Sequence, residues 1–418
     1  MHDWQAQTRE RLGLEIAAMS KIDKRGAVWL VPSQSGRGRY TVSLDQHEPF
    51  CSCPDHEETR GHCKHMFAVE FVMRREQNGD GTETITQTMT VTETVKRPTY
   101  RQNWAAYHAA QVNEKAEFQA LLYDLLQHNL PEIKRGRGRP SLPLSDAMFS
   151  VITKVYSTQA AARFIADLGD AHEHGYLTRV PHYNNIPNYL EKPELEPVFQ
   201  HLIHVTSLPL KSVEVDFAVD STGFTGKSYT RWFDHKYRGK KEHHYVKAHL
   251  MCGVKTNIVT ACEIHGRDAS DAVQLRSLLG LTAEHFDIQQ VSADKAYGVV
   301  YNHEAIDAIG AQARIPFKKG HNGARGGIWA DAFHYWSLNR AAFNAEYHKR
   351  SNIESTVWMI KSKFGGHVRS KTEVAMRNEV YAKVLCHNIC CLIQSVYELG
   401  IEPSFMVLEQ PLHTEGGS

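Results

Sequence analysis

The sequence lacks any apolar run of 18 or more residues, so it predicts no helix that spans a membrane. Its amino terminus also lacks a basic patch followed by an apolar stretch, which is the pattern of a secretory signal peptide. We therefore expect a cytoplasmic protein with no membrane partner. Hydrophobic residues at 42% and charged residues at 23% are ordinary values for a globular protein, which excludes collagen-like, fibrous and largely disordered classes.

The chain has almost no net charge, with 48 Lys and Arg against 47 Asp and Glu. This balance by itself does not predict a nucleic-acid partner. The cations are unevenly distributed, however, and exceed the acids over residues 134–140, 228–247 and 347–377. Local basic stripes of this kind are how proteins contact phosphates, although each stripe alone is equally compatible with a solvated face.

Three of the eight cysteines stand together with a histidine in the pattern Cys51-x-Cys53…Cys63-x-His65. Cys and neutral His are the ligands of tetrahedral zinc, and such an ion supplies folding energy to a small domain. With the helix expected after the last ligand, the pattern resembles the SWIM zinc-finger family. The resemblance implies one structural Zn²⁺ ion and either DNA or a protein as partner. The five remaining cysteines are interpreted as core residues.

Periodicity and composition divide the chain into five parts. We expect a zinc-finger domain at 1–78, a Thr-rich linker at 79–100, a helical DNA-binding or dimerisation region at 101–210, an α/β domain at 211–400 and a tail at 401–418. In the linker, Thr occupies every second position from 82 to 94, so an edge strand is the alternative. In the α/β domain, strands in series followed by alternating strands and helices predict a mixed sheet flanked by helices.

Arginine alternates with glycine at Arg135, Arg137 and Arg139. Such a thin, extended basic segment can enter the minor groove of A·T-rich DNA, where the potential is most negative. The segment resembles the core of an AT-hook. A plain basic linker is the alternative.

Two predicted strands each end at an acid, Val213–Val219 before Asp220 and Gln290–Ala293 before Asp294. Ends of neighbouring strands at one sheet edge are where open α/β sheets keep their sites. Asp216 lies on the same strand face as Asp220 and is the alternative. We prefer Asp220 because it stands at the expected junction of strand and turn.

A long helix is expected to begin near Asn344. It carries Tyr347, Arg350, Glu354 and Lys361 on one face at about 100° per residue. One carboxylate from this helix and two from the strand ends can hold two Mg²⁺ or Mn²⁺ ions. Two such metals can flank the attacking and leaving oxygens of a phosphodiester.

The acids and the helix belong to three motifs: Asp220-Ser-Thr-Gly, Ala-Asp294-Lys-x-Tyr and Tyr347-x₂-Arg350-x₃-Glu354-x₆-Lys361. Together these motifs resemble those of bacterial insertion-sequence DDE transposases, which have an RNase H-like core. The resemblance covers roughly residues 140–400. It implies that the three acids bind the catalytic metals, and that the tyrosine, arginine and lysine grip phosphates or a displaced base at the transposon end.

The implied reaction is metal-dependent cleavage at transposon ends followed by attack of the freed 3′-OH on target DNA. The implied partners are double-stranded DNA, as terminal repeats and target, and a second copy of the chain in a homodimer or larger synaptic complex. Two alternatives stay open, a nuclease without strand transfer and a DNA-binding regulator that has lost the chemistry. The 59 residues between Asp294 and Glu354 are expected to hold a helix, a strand and a loop but no added domain.

Overall fold

The computed structural model describes residues 2–33, 38–44, 49–74, 103–131, 142–226, 245–266 and 269–405. Several segments lie outside this part: the Thr-rich linker, the Arg-Gly segment with Arg135, Arg137 and Arg139, residues 229–237, for which the sequence predicts a strand, and residues 406–418 of the tail. None of the helices within it is long and apolar enough to cross a membrane. The chain forms two compact units, residues 1–100 with 319–343, and residues 101–318 with 344–418.

The first unit opens with helix α1 (His2–Met19) and a small antiparallel sheet in the order β1-β2-β3-β4. Its strands are β1 (Asp23–Arg25), β2 (Val28–Pro32), β3 (Arg39–Ser43) and β4 (Phe50–Cys51), and helices α2 (Pro54–Thr59) and α3 (Lys64–Arg74) follow. Alternate residues of β2, Trp29 and Val31, are buried, as expected of a strand with one face on a core. Ile16 and Met66 close that core from α1 and α3.

Residues 319–343 belong to this first unit although they lie between the second and third predicted carboxylates in the chain. They contain α11 (Gly327–Leu338) and the first residues of α12 (Arg340–Tyr347), and α11 packs against α1. Burial raises the pKa of Glu15 on α1, and the charge of His334 on α11 opposes that rise. The interval before Glu354 therefore contains more than the expected helix, strand and loop.

The second unit contains a mixed sheet in the order β7-β6-β5-β8-β9, with β10 paired to the end of β5, as far as the described residues show. The strands are β5 (Asp216–Gly226), β6 (Tyr245–Gly253), β7 (Val259–Gly266), β8 (Gln290–Ala293), β9 (Gln312–Arg314) and β10 (His367–Val368). β5, β6 and β7 are antiparallel neighbours, whereas β8, β9 and β10 run parallel to β5 or to each other.

Helices cover both faces of this sheet. They are α4 (Trp104–His128), α5 (Leu144–Ser157), α6 (Ala161–Glu173), α7 (Asn185–Leu190), α8 (Leu195–Ser207), α9 (Asp271–Ala283), α10 (Val300–Ala308), α13 (Ser351–Phe364) and α14 (Glu373–Leu399). Alternate residues of β5 face opposite sides, so Ala218 and Phe224 pack in the core with α14 while Phe217 and Val219 pack with α9. The prediction of an RNase H-like mixed sheet flanked by helices is confirmed.

Three element boundaries differ from the sequence expectation. β5 does not end before Asp220 but continues to Gly226, because its second half pairs with β6. Within the helical region expected at 101–210, residues 144–168 carry one continuous helical pattern but form parts of two helices, separated where Thr158 takes a left-handed φ of 57°. The long helix expected from Asn344 is α12, a 3₁₀ turn at His348–Arg350, and then α13.

Candidate active site and metal centres

Asp220 lies in the middle of β5, on the face that also carries Ala218 and Phe224. It stands where the parallel pairing with β8 stops, because the last parallel pair is Val219 with Ala293. One of its carboxylate oxygens accepts a hydrogen bond from the backbone N–H of Ser221 at 2.8 Å. The expected junction of strand and turn at Asp220 is therefore absent. What distinguishes Asp220 instead is its position at the end of the parallel pairing between β5 and β8.

Asp294 is the first residue after β8, and by the β5–β8 register it stands beside Asp220 on the neighbouring strand. Its Oδ1 accepts the backbone N–H of Ala296 at 2.6 Å, which fixes the carboxylate at the start of the following turn. Burial raises the pKa of Asp220, and the negative charge of Asp294 raises it further, while Ser221 and Arg350 act against the rise. The two acids thus share one electrostatic environment.

Asp216, the alternative acid, lies at the opposite end of the parallel ladder, paired in register with Gln290 at the start of β8. Four residues along a strand separate it from Asp220 by about 13 Å. Its Oδ2 accepts a hydrogen bond from Nζ of Lys349 at 2.5 Å. The register therefore favours Asp220 over Asp216 as the neighbour of Asp294.

Arg350, in the 3₁₀ turn before α13, connects two of the predicted catalytic acids. Its guanidinium donates to Oδ2 of Asp220 at 2.9 Å and to Oε1 of Glu354 at 2.7 Å. Arg350 is 18% exposed and Glu354, in the first turn of α13, is 62% exposed. One cation thus joins the carboxylate of β5 to the carboxylate of the helix.

Tyr347 and Lys361 lie on either side of this contact in the chain. Burial raises the pKa of Tyr347, and a hydrogen bond to Arg350 opposes that rise, so the phenol and the guanidinium are neighbours. Nζ of Lys361 donates to Oγ1 of Thr222 on β5 at 2.6 Å. Of the four positions expected on one helix face, Arg350 and Lys361 contact β5, whereas Tyr347 and Glu354 lie beside Arg350. A tightened turn interrupts the helix between them.

The donor set at this place fits a hard divalent cation. Carboxylate oxygens are the ligands of Mg²⁺ and Mn²⁺, and the raised pKa of Asp220 reflects a buried charge that a cation would stabilise. The oxygens of the three carboxylates do not all lie within 4.8 Å of one another. In the described part of the chain, two other groups of His, Cys, Asp and Glu side chains have their ligand atoms that close together. Arg350 occupies the space between Asp220 and Glu354 instead.

The first of those groups is the predicted set Cys51, Cys53, Cys63 and His65, all of them buried. Nδ1 of His65 lies 3.9 Å from the sulfurs of both Cys51 and Cys63. Zinc–ligand bonds of 2.0–2.3 Å in a tetrahedron give a sulfur–nitrogen separation of roughly 3.6 Å, so the cluster has the size of a zinc site.

The local fold explains how these ligands meet. Cys51 lies on β4, Cys53 caps the amino terminus of α2, and Cys63 and His65 lie at the start of α3. The backbone N–H of His56 donates to Sγ of Cys53 at 3.4 Å. Burial raises the pKa of the Cys53 thiol. The cluster is compatible with a zinc finger.

Two residues near the carboxylates, Lys349 and Trp358, are not among the motif positions that predicted the site. Lys349 binds Asp216 from the 3₁₀ turn, and Trp358 is 68% exposed on α13, one turn after Glu354. An exposed tryptophan at helical spacing from a predicted catalytic acid is detectable in the sequence once the helix register is known.

Comparison with known proteins finds a family match for the part of the chain that contains the three acids. Residues 211–389 match the family model described as the transposase DDE domain. No curated protein matches the chain. The matched stretch runs from just before β5 into α14, so it contains the three acids and the helix with Arg350. A domain of this family implies an enzyme of DNA cleavage and transposition that binds DNA and uses divalent metal. Residues 211–389 are therefore similar to a transposase DDE domain, which supports a DDE transposase.

Proposed function

We propose that Asp220, Asp294 and Glu354 are the catalytic acids of a transposase that cuts DNA at transposon ends and transfers the freed 3′-OH into target DNA. One observation carries this proposal. The β5–β8 register sets Asp220 beside Asp294, and Arg350 links Asp220 to Glu354. These contacts connect three acids that are distant in the sequence, which supports a shared role for them.

The acids would hold two Mg²⁺ or Mn²⁺ ions, which activate the attacking oxygen and stabilise the leaving oxygen of a phosphodiester. The protein's own contribution is to fix the ligands. Ser221 and Ala296 each hold one oxygen of Asp220 and Asp294 through a backbone N–H. Water and then the 3′-OH serve as nucleophiles, so no covalent intermediate with the protein is needed.

The DNA would be gripped by Tyr347, Arg350 and Lys361. Arg350 and Lys361 supply positive charge beside the acids, where the phosphate to be cut must lie. Trp358 adds an exposed indole one turn from Glu354, and base–aromatic stacking is a common way to hold an unpaired base. Arg135, Arg137 and Arg139 would reach the minor groove of adjoining A·T-rich DNA.

The Cys51, Cys53, Cys63 and His65 cluster would bind one structural Zn²⁺. Its unit, with residues 319–343, is then a separate module for recognising DNA or a partner protein. Joining two ends in one reaction requires a homodimer or a larger synaptic complex. The domain boundaries at 78, 100, 210 and 400 and the cytoplasmic location stay predictions.

One gel assay tests the central proposal. The purified full-length protein is incubated with labelled transposon-end DNA, a supercoiled target plasmid and Mg²⁺. We expect end cleavage and joined products, both absent in the Asp294→Asn variant and in EDTA. Cleavage without joined products would favour the nuclease alternative. Binding without cleavage in any divalent metal would refute the proposal in favour of a DNA-binding regulator.

A further inference from the structure

A second group of metal-ligating side chains lies outside both sites already described. His204, Glu284 and His285 each offer a ligand atom, and these atoms all lie within 4.8 Å of one another. Nε2 of His204 is 3.0 Å from Nδ1 of His285. The three residues come from α8 and from the turn that follows α9, some 80 residues apart in the chain.

The orientation of His204 is suited to metal binding. Its Nδ1 lies 3.4 Å from the backbone carbonyl oxygen of Thr260 on β7. If Nδ1 carries the proton and donates it there, Nε2 presents its lone pair to His285. A ring nitrogen held by a carbonyl while the other faces the ion is the usual arrangement of a histidine ligand.

The backbone under the three side chains is fixed before any ion arrives. Thr260 also bonds through its hydroxyl to Thr282 on α9, at 2.8 Å, so β7 contacts the elements that carry both histidines. Phe286, directly after His285, is buried against Phe217 of the sheet. The site is therefore assembled by packing rather than by the ligand, which lowers the entropic cost of binding.

We propose that His204, Glu284 and His285 form a second Zn²⁺ site, separate from the cysteine cluster and from the catalytic acids. Two ring nitrogens bound to one tetrahedral zinc ion lie about 3.3 Å apart, close to the separation observed here. Two imidazoles and one carboxylate match the preferences of Zn²⁺ better than those of Mg²⁺. Because Glu284 and His285 are exposed, water can complete the coordination and the ion can exchange with solvent.

The test compares zinc binding by tag-free full-length proteins after removal of loosely held metal. The wild type, His204→Gln/His285→Gln and the matched control His201→Gln are dialysed against Zn²⁺ in excess Mg²⁺, which occupies hard oxygen sites. We expect the double variant to bind one zinc ion fewer than the wild type and the His201 control to bind the same number. Equal zinc content in all three would overturn the proposal and leave a plain hydrogen bond between two histidines.

A milder variant separates loss of ligand from loss of fold. Glu284→Gln changes only an exposed carboxylate and should weaken zinc affinity by at least about tenfold, the loss that a supporting residue alone can cause at a metal site. Zinc should also protect His204 and His285, but not His201, from diethylpyrocarbonate, as read by peptide mass spectrometry. Unchanged affinity in Glu284→Gln together with unprotected histidines would refute the site.

Discussion

Neutralising Asp220 while leaving its shape intact should separate the two candidate acids on β5. In Asp220→Asn, the amide oxygen can still accept the N–H of Ser221, so the strand is preserved. The change removes the negative charge that would bind metal and that now pairs with Arg350. The matched control is Asp216→Asn, the same substitution about 13 Å further along the same strand face.

The expected losses of cleavage rate in Asp220→Asn and Asp216→Asn differ by orders of magnitude. Metal-assisted stabilisation of a phosphoryl transition state is worth several kcal/mol. Losing about 4 kcal/mol of it slows cleavage by about 10³-fold. Asp216 instead pairs with Lys349 in side chains that are 25% and 39% exposed. Such a pair contributes at most about 1 kcal/mol, so Asp216→Asn should slow cleavage by less than about fivefold.

Single-turnover cleavage of labelled end DNA in Mg²⁺ gives both rates, and anisotropy with the same DNA in Ca²⁺ gives binding. We expect Asp220→Asn to bind end DNA at least as well as the wild type, because one negative charge near the phosphates is removed. If Asp220→Asn cleaves normally while Asp216→Asn is inactive, the register argument has selected the wrong acid. If both are inactive and both bind weakly, the substitutions have damaged the fold.

Three further predictions concern DNA contacts and the zinc cluster. Replacing Arg135, Arg137 and Arg139 with Ala should weaken end binding and reduce the salt slope of log K by about 2.7, measured by anisotropy over a salt series. A minor-groove ligand that leaves wild-type binding unchanged would favour the plain linker. Trp358→Ala should lose about 1–3 kcal/mol of binding to single-stranded end DNA while Trp358→Phe keeps most of it, and equal loss in both would exclude stacking. Cys63→Ser should release one zinc ion and lower the calorimetric transition of the first unit, and an unchanged zinc content would contradict the proposed ligand set.

The sequence predicted the parts of the site that local patterns encode. β8 ends at Ala293 as expected, because a short buried run is bounded by Asp294 and a turn. The three cysteines and the histidine of the zinc cluster could be assigned to one metal site from their spacing, since all four lie within 15 residues of one another. Both features depend on neighbours in the chain.

The length of β5 could not be predicted from local sequence patterns. After Asp220 the sequence Ser-Thr-Gly consists of residues that favour turns. In the fold, Thr222 and Phe224 pair with Ala248 and Val246 of β6. Phe224 is fully buried in the core shared with α14. Tertiary pairing therefore overrides the local preference, as it often does in strands.

Two other features depend on partners far away in the sequence. Residues 319–343 carry the aromatic residues Trp329, Phe333 and Trp336, which predict a helix with a buried face. Nothing local shows that this helix packs against α1, some 300 residues earlier. His204 and His285 likewise meet only because α8 and α9 both contact β7. No spacing rule would connect them.

Arg350 explains how the three acids can coexist in a folded protein before metal binds. Asp294 directly follows β8 beside Asp220, and in addition to burial its negative charge raises the pKa of Asp220, which opposes folding. The guanidinium offsets part of that cost by binding Asp220 and, through its other nitrogen, Glu354. A planar guanidinium is always charged and can hold two carboxylates at once, which a lysine ammonium does less well. The sequence position of Arg350, four residues before Glu354, thus serves the stability of the site in addition to the DNA contact proposed for it.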